Sequence, residues 1–241
     1  MLRISQLNIG FKNRPLLKSA FSDNFERGSF IAVIGRNGSG KSTFLRHLAG
    51  LSSPLSGQIF LDDIEYRDYS SLSLAKKLSW VGTERLLYNY LSIEEMVSLG
   101  RHPHLGFGGQ LNSKDKEIVV DAIKKMGIEH LSKKLLSECS DGEKQSAVLA
   151  RAFAQDSSVI LLDEITAHLD FVHRHKSFTL LKNLAHHDRK LIMLATHEID
   201  LSLRYCDELL VLHNGVFNRV KPAGIQNSNF LDDIFEGFLK Y

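Results

Sequence analysis

An α/β fold is what this sequence predicts, on three observations. First, the apolar, β-branched run Phe30-Ile31-Ala32-Val33-Ile34 leads through a glycine-rich stretch into helical spacing, with Phe44, Leu45 and Leu48 on one side and Gly50 past the end. Second, two further apolar runs, Val159 to Asp163 and Leu191 to Ala195, flank a helical segment near 172–187, as buried strands of a parallel sheet do. Third, the alternation of strand and helix is interrupted from about 86 to 155 by a mostly helical stretch, which reads as an inserted helical subdomain within one domain covering 1–241.

The N-terminal residues 1–34 read as strands. Leu2, Ile4, Leu7 and Ile9 lead to Phe11, followed by a turn at Lys12-Asn13-Arg14-Pro15, a second run from Leu16 to Phe25 and a turn at Glu26-Arg27-Gly28. The glycine-rich stretch is Gly35-Arg36-Asn37-Gly38-Ser39-Gly40-Lys41-Ser42-Thr43, a G-x-x-x-x-G-K-S pattern. Glycines let the backbone approach an anion with no Cβ in the way. The N–H groups and the helix dipole then favour phosphate, with Lys41 toward the β- and γ-phosphates and Ser42 toward Mg²⁺. Its place between strand and helix is the one the mechanism requires, and it makes Gly35, Asn37, Gly38, Ser39, Gly40, Lys41, Ser42 and Thr43 candidate nucleotide-binding residues.

Downstream, Ser52 to Gly57 reads as a turn, Gln58 to Asp62 as a strand, Leu72 to Leu78 as a helix and Ser79-Trp80-Val81 as a buried strand. Ser92 with Glu95 three residues on is a capping box that opens a helix to Leu99, and Arg101 to Gln110 is a Gly/Pro-rich loop. A helix from Ser113 through Met126 follows. Ser140 and Glu143 form a second capping box, opening a helix lined by Ala147, Val148, Ala150, Arg151 and Ala154. Asp163 stands at the carboxyl end of an apolar strand, where ligands of such sheets bind, and suits a metal ion. Glu164 beside it suits an attacking water. His197 ends another apolar run, open between a structural role and contact with a γ-phosphate; Phe11 is open between hairpin packing and stacking on a nucleotide base. The stretch around Leu209 to Val216 reads as a hairpin.

Composition excludes some classes. The 241 residues carry a formal net charge of +2, which gives no reason to expect nucleic acid. No apolar run approaches the length of a membrane span, and Met1-Leu2-Arg3-Ile4-Ser5-Gln6 does not read as a secretory signal. Two cysteines, Cys139 and Cys206, in unrelated contexts fit reduced thiols and argue against a disulfide framework or a structural zinc.

With these residues in order, the chain resembles the ATP-binding-cassette (ABC) ATPases over essentially residues 1–220. Cys139-Ser140-Asp141-Gly142-Glu143 resembles the signature L-S-G-G-Q, Gly35 to Thr43 Walker A, Val159 to Glu164 Walker B with the catalytic glutamate, Thr166 to Asp170 the D-loop and His197 the switch histidine. The resemblance implies a P-loop α/β core with an N-terminal antiparallel β subdomain and the inserted helical subdomain. It implies two cassettes paired head to tail, with ATP between Walker A of one and Ser140, Gly142 and Glu143 of the other. It further implies Mg²⁺ held by Ser42 and Asp163, with Lys41, Glu164 and His197 catalytic and Phe11 on the adenine. The family's usual Mg²⁺-contacting glutamine is replaced by Thr83 or Glu84, Asp141 and Glu143 add two acids to the signature, and Ile165 stands where proline is usual.

Gly100-Arg101-His102-Pro103-His104 and Arg204-Tyr205-Cys206-Asp207-Glu208 resemble segments of importer ATPases serving iron-siderophore, haem and cobalamin uptake. That resemblance implies a peripheral subunit on the cytoplasmic side of the inner membrane. Its partners would be an integral-membrane permease and, indirectly, an extracytoplasmic substrate-binding protein. Leu86, Leu87, Tyr88 and Tyr90 are open between a docking groove for that permease and core packing. Two rival readings stand beside it: a soluble ABC ATPase of cluster assembly or nucleic-acid work, and a cassette that clamps ATP with little turnover.

Overall fold

The computed structural model describes residues 1–11, 14–82, 90–106, 108–166 and 169–225, with Phe11 and Ile225 described by their backbone alone. The chain begins with strands β1 (Leu2–Asn8), β2 (Gly10–Phe11), β3 (Arg14–Pro15), β4 (Phe21–Phe25) and β5 (Phe30–Gly35), then helix α1 (Lys41–Leu48). Strands β6 (Ser56–Leu61) and β7 (Ile64–Glu65), helix α2 (Ser71–Ala75) and strand β8 (Leu78–Val81) follow. Helices α3 (Ile93–Ser98), α4 (Ser113–Lys125) and α5 (Asp141–Ala154) come before β9 (Val159–Asp163). The chain returns through α6 (Phe171–His187), β10 (Leu191–Ala195), α7 (Ile199–Tyr205), β11 (Glu208–His213), β12 (Val216–Val220) and α8 (Pro222–Ile225).

The six-stranded sheet runs β12-β11-β5-β10-β9-β8, parallel throughout except for the antiparallel β11–β12 hairpin. Its central strands are buried on both faces, so each reads as a continuous apolar run instead of alternating with polar residues. The period of two divides their side chains between two cores. Phe30, Ala32, Ile34, Ile160 and Leu162 pack with α3 to α7, whereas Ile31, Val33, Leu161 and Met193 pack with Phe44, Leu45 and Leu48 of α1. On its far side α1 meets the antiparallel sheet β4-β1-β6-β7, the N-terminal β subdomain that the resemblance implies, through Leu2, Ile4, Phe25, Ile59 and Leu61. Helix α1 is thereby held between two sheets. Because β5, β10 and β9 are neighbours and parallel, their carboxyl ends, with Gly35, Thr196-His197 and Asp163-Glu164, lie side by side.

Three sequence expectations are corrected. The run from Leu16 to Phe25 is not one strand: β3 ends at Pro15, residues 16–20 are irregular, and β4 starts at Phe21. Leu16 N–H bonds to Ile9 O at 2.8 Å and Lys18 N–H to Gly215 O at 2.8 Å, so tertiary partners take the donors a strand ladder would use. The helix expected over Leu72–Leu78 ends at Ala75, and Leu78 already belongs to β8, paired with Val159. The expected loop after Leu99 is a 3₁₀ helix over Leu99–His104. A Cβ at Gly100 would collide with the Arg151 carbonyl, so only glycine lets this turn lie against α5. Buried Arg101 donates to Asp115 Oδ1 at 2.9 Å and Ala154 O at 2.8 Å, and His104 Nε2 donates to Gln155 O at 2.8 Å. The carbonyls that the end of α5 leaves open are thus capped by the Gly100–His104 segment.

Candidate functional site

At the carboxyl ends of β5, β10 and β9 lies a cleft of about 480 Å³. It is lined by Asn37, Gly38, Gly40, Lys41, Ser42 and Thr43, facing Glu164 and His197. Gly40 takes φ of 111°, which a side chain would resist, and turns the chain into the first N–H groups of α1. Gly35 sits beneath the loop: a Cβ there would come within 2.5 Å of Leu212 O, so the residue fixes the closeness of β5 to β11. The Ser39 hydroxyl is buried beside it with no partner among the described residues.

Lys41 is buried, and its ammonium donates to Gly35 O at 2.9 Å and Arg36 O at 3.3 Å. Burial lowers its pKa, against the opposing pull of the Glu164 and Asp163 charges. Ser42 Oγ donates to Asp163 Oδ1 at 2.9 Å. Burial pushes the Asp163 carboxyl up, with Glu164 adding to the rise, while the Ser42 hydroxyl and Lys41 pull it down. Hydroxyl and carboxylate together make a pair of hard oxygen donors. Among the described residues no group of three or more His, Cys, Asp or Glu forms a metal cage, so a hard cation would need phosphate oxygens and water to complete its shell here.

Glu164 Oε1 lies 2.6 Å from His197 Nε2, joining the ends of β9 and β10 across the cleft mouth. The Glu164 backbone is left-handed, φ 51°, and is held there by its N–H bond to Ala195 O at 2.9 Å. A strained non-glycine residue of this kind costs roughly 1–3 kcal/mol and persists where the surroundings fix it. No local pattern signals this contact, since its partners are far apart in the chain.

The second predicted segment is elsewhere. Ser140, Gly142 and Glu143 do not line the cleft; they form the N-terminus of α5. The capping box is made in full: Glu143 N–H donates to Ser140 Oγ at 3.3 Å, and Ser140 N–H to Glu143 Oε2 at 2.7 Å. Lys134 Nζ adds a second bond to that oxygen at 3.1 Å. The side chain of Phe11, and Thr83, Glu84, Leu86, Leu87, Tyr88, Ala167 and His168, lie outside the described residues, and Tyr90 is exposed. Sequence reasoning missed Arg14 and Leu16, which line the cleft, and Lys134. The only local signal for Arg14 was a cation in a turn.

The family described as ABC transporter matches residues 19–167, more than half of the chain. An uncharacterised ABC transporter ATP-binding protein of Methanocaldococcus jannaschii is 34% identical over 98% of this chain and 81% of its own length. The petrobactin import ATP-binding protein FpuC of Bacillus anthracis is 36% identical over 88% of this chain and 77% of its own. The ATP-binding cassette MJ0796, solved as a dimer in a post-hydrolysis state with ADP and Pi, superposes with a TM-score of 0.78 at 26% identity over 92% of this chain and 99% of its own. A family match over more than half of the chain and a relative 34% identical across nearly all of it agree, and this chain belongs to the ABC transporter family as one of its ATP-binding, ATP-hydrolysing cassettes.

Proposed function

We propose that the chain drives an importer of metal chelates of the iron-siderophore, haem or cobalamin class. In this reading it works as a pair of copies at the cytoplasmic face of the membrane, beneath a permease supplied by an extracytoplasmic binding protein. Support for import comes from the likeness to a petrobactin import subunit and from the Gly100–His104 segment. Among the described residues no helix is long and apolar enough to cross a membrane, which fits a separate permease.

The observation that carries the hydrolytic part is the 2.6 Å contact of Glu164 with His197 at the mouth of the cleft. ATP would lie along the loop, where the Lys41 ammonium exchanges its two carbonyl partners for phosphate oxygens. Ser42 and Asp163 would hold Mg²⁺, which supplies charge neutralisation at the transferring phosphate. Glu164 orients the attacking water, and His197 fixes the carboxylate and reaches toward the γ-phosphate. Because Ser140 and Gly142 lie away from the cleft of their own chain, the N–H groups of α5 are free to close the cleft of a second copy.

Glu164→Gln tests this reading. It should form an ATP-dependent dimer on sizing while turnover falls roughly 100- to 1000-fold; equal, negligible rates for parent and variant assembled with their membrane partner would remove the motor reading. Purification from detergent-extracted membranes should return a polytopic membrane protein in equal copy number. Recovery only with soluble partners or nucleic acid would remove the importer.

A further inference from the structure

The acids of the α5 N-terminus pose an electrostatic problem. The capping-box bonds hold Glu143 ionised: the Ser140 N–H and the Lys134 ammonium keep its carboxyl below the usual range. Asp141, in the same turn, is exposed. A helix end with two carboxylates should repel a phosphate, although its dipole attracts one. Each acid has a lysine: Lys134 on Glu143 at 3.1 Å, and Lys144 near Asp141 at 3.9 Å.

The two lysines are not equivalent. Lys144 is on α5 itself and its contact is loose. Lys134 comes from the preceding segment, and its backbone is fixed there. Its N–H bonds to Leu131 O at 2.8 Å, and its carbonyl accepts from Ile93 N–H, at the start of α3, at 3.1 Å. Its ammonium meets the same Oε2 that caps Ser140, so one oxygen is held from two sides. The carboxylate is thereby folded back onto the Ser140 cap, and the Asp141 and Gly142 N–H groups, in the first turn, have no partner within the helix.

We propose that Lys134 is a positioning residue for the signature segment. It cancels the Glu143 charge and pins that side chain to the Ser140 cap, so that the Asp141 and Gly142 N–H groups can receive the γ-phosphate of ATP held by a second copy. The inference rests on the proposed pairing of two cassettes across ATP. A half-exposed ion pair contributes little to stability. A carboxylate released near a phosphate, at an effective dielectric typical of a protein surface and screened by salt, weakens binding roughly three- to tenfold.

The test uses full-length Glu164→Gln protein, with sizing to find the ATP concentration that half-fills the dimer. Adding Lys134→Ala should raise that concentration roughly three- to tenfold at low ionic strength, and less at high ionic strength. Lys134→Arg should behave as the parent. Lys134→Ala with Glu143→Gln should return to the parent value, because the charge needing cancellation is gone; a lysine that merely braces the fold would not be rescued this way. The melting temperature should hold in all variants. If the Glu164→Gln parent never dimerises with ATP, the functional reading fails. If the parent dimerises and Lys134→Ala matches it, or the double variant stays impaired, the role of Lys134 is overturned.

Discussion

The cleft and the N-terminus of α5 handle charge in opposite ways. In the cleft, Lys41 and Asp163 are buried, and burial works against both: it lowers the lysine pKa and raises the aspartate pKa. At the α5 N-terminus, Glu143 is more open to water, and hydrogen bonds hold its pKa down. The cleft stores unfavourable charge that a polyanion and a cation would relieve. The helix end has already satisfied its own. In the proposed reading, the region that binds is left under electrostatic tension, while the region presented to another copy is neutralised in advance.

Lys41→Met gives the sharpest break in that comparison. The substitution removes a buried cation whose hydrogen bonds, among the described residues, run to the loop carbonyls, so unfolding free energy should change by no more than about 1 kcal/mol. Nucleotide affinity should fall roughly 100- to 1000-fold, as when one partner of a desolvated charge pair is truncated. Equilibrium binding of a fluorescent ATP analogue beside urea unfolding checks both halves. A large stability loss with intact binding would mean that Lys41 is structural and the cleft is not under tension.

The opposite end of α5 extends the contrast along one helix. Its C-terminus is locked by the buried Arg101–Asp115 pair, both side chains about 6% exposed or less. Arg101→Met leaves Asp115 buried without its cation and Ala154 O without a donor, which should cost about 3–5 kcal/mol in urea unfolding. Joining it to Asp115→Asn should recover part of that loss, since the bare charge is the larger penalty. If Arg101→Met were as stable as the parent, the helix would not be anchored there.

What could be read ahead of the structure was local. The loop at Gly35–Thr43, the strand ends at Asp163 and Ala195 and the boxes at Ser92/Glu95 and Ser140/Glu143 depend on neighbours within a few residues, and they form as expected. What could not be read depends on distant partners. Arg101 looked like a loop residue because Asp115 and Ala154 reach it only after folding. Glu164 and His197 were each legible as a strand-end residue, but not their contact, which needs β9 beside β10. Lys134 carries no local signal at all, and the run from Leu16 to Phe25 reads as strand because its apolar residues do not reveal that the Leu16 and Lys18 donors are taken elsewhere.

Asp163→Asn tests the tension in the cleft most directly, and its expected effect on stability is the smallest. A carboxylate whose pKa is raised by folding destabilises the folded state wherever it is ionised. Its unfolded form loses the proton first, so stability falls as pH rises from the ordinary aspartate value through the raised one. Asparagine keeps an oxygen for the Ser42 hydroxyl and has no charge to bury. The ligand-free variant should therefore be more stable than the parent at neutral pH by roughly 1 kcal/mol, the scale on which relieving a functional site stabilises a fold. The gain should vanish as pH falls below the ordinary aspartate range, where the parent is protonated too. Thermal melts across pH, with turnover measured alongside and expected to be lost, would show whether the strand-end carboxylate is kept for binding at the expense of the fold. A variant less stable at neutral pH would mean that Lys41 and Ser42 already compensate Asp163 in full, and the contrast with Glu143 would then be one of exposure alone.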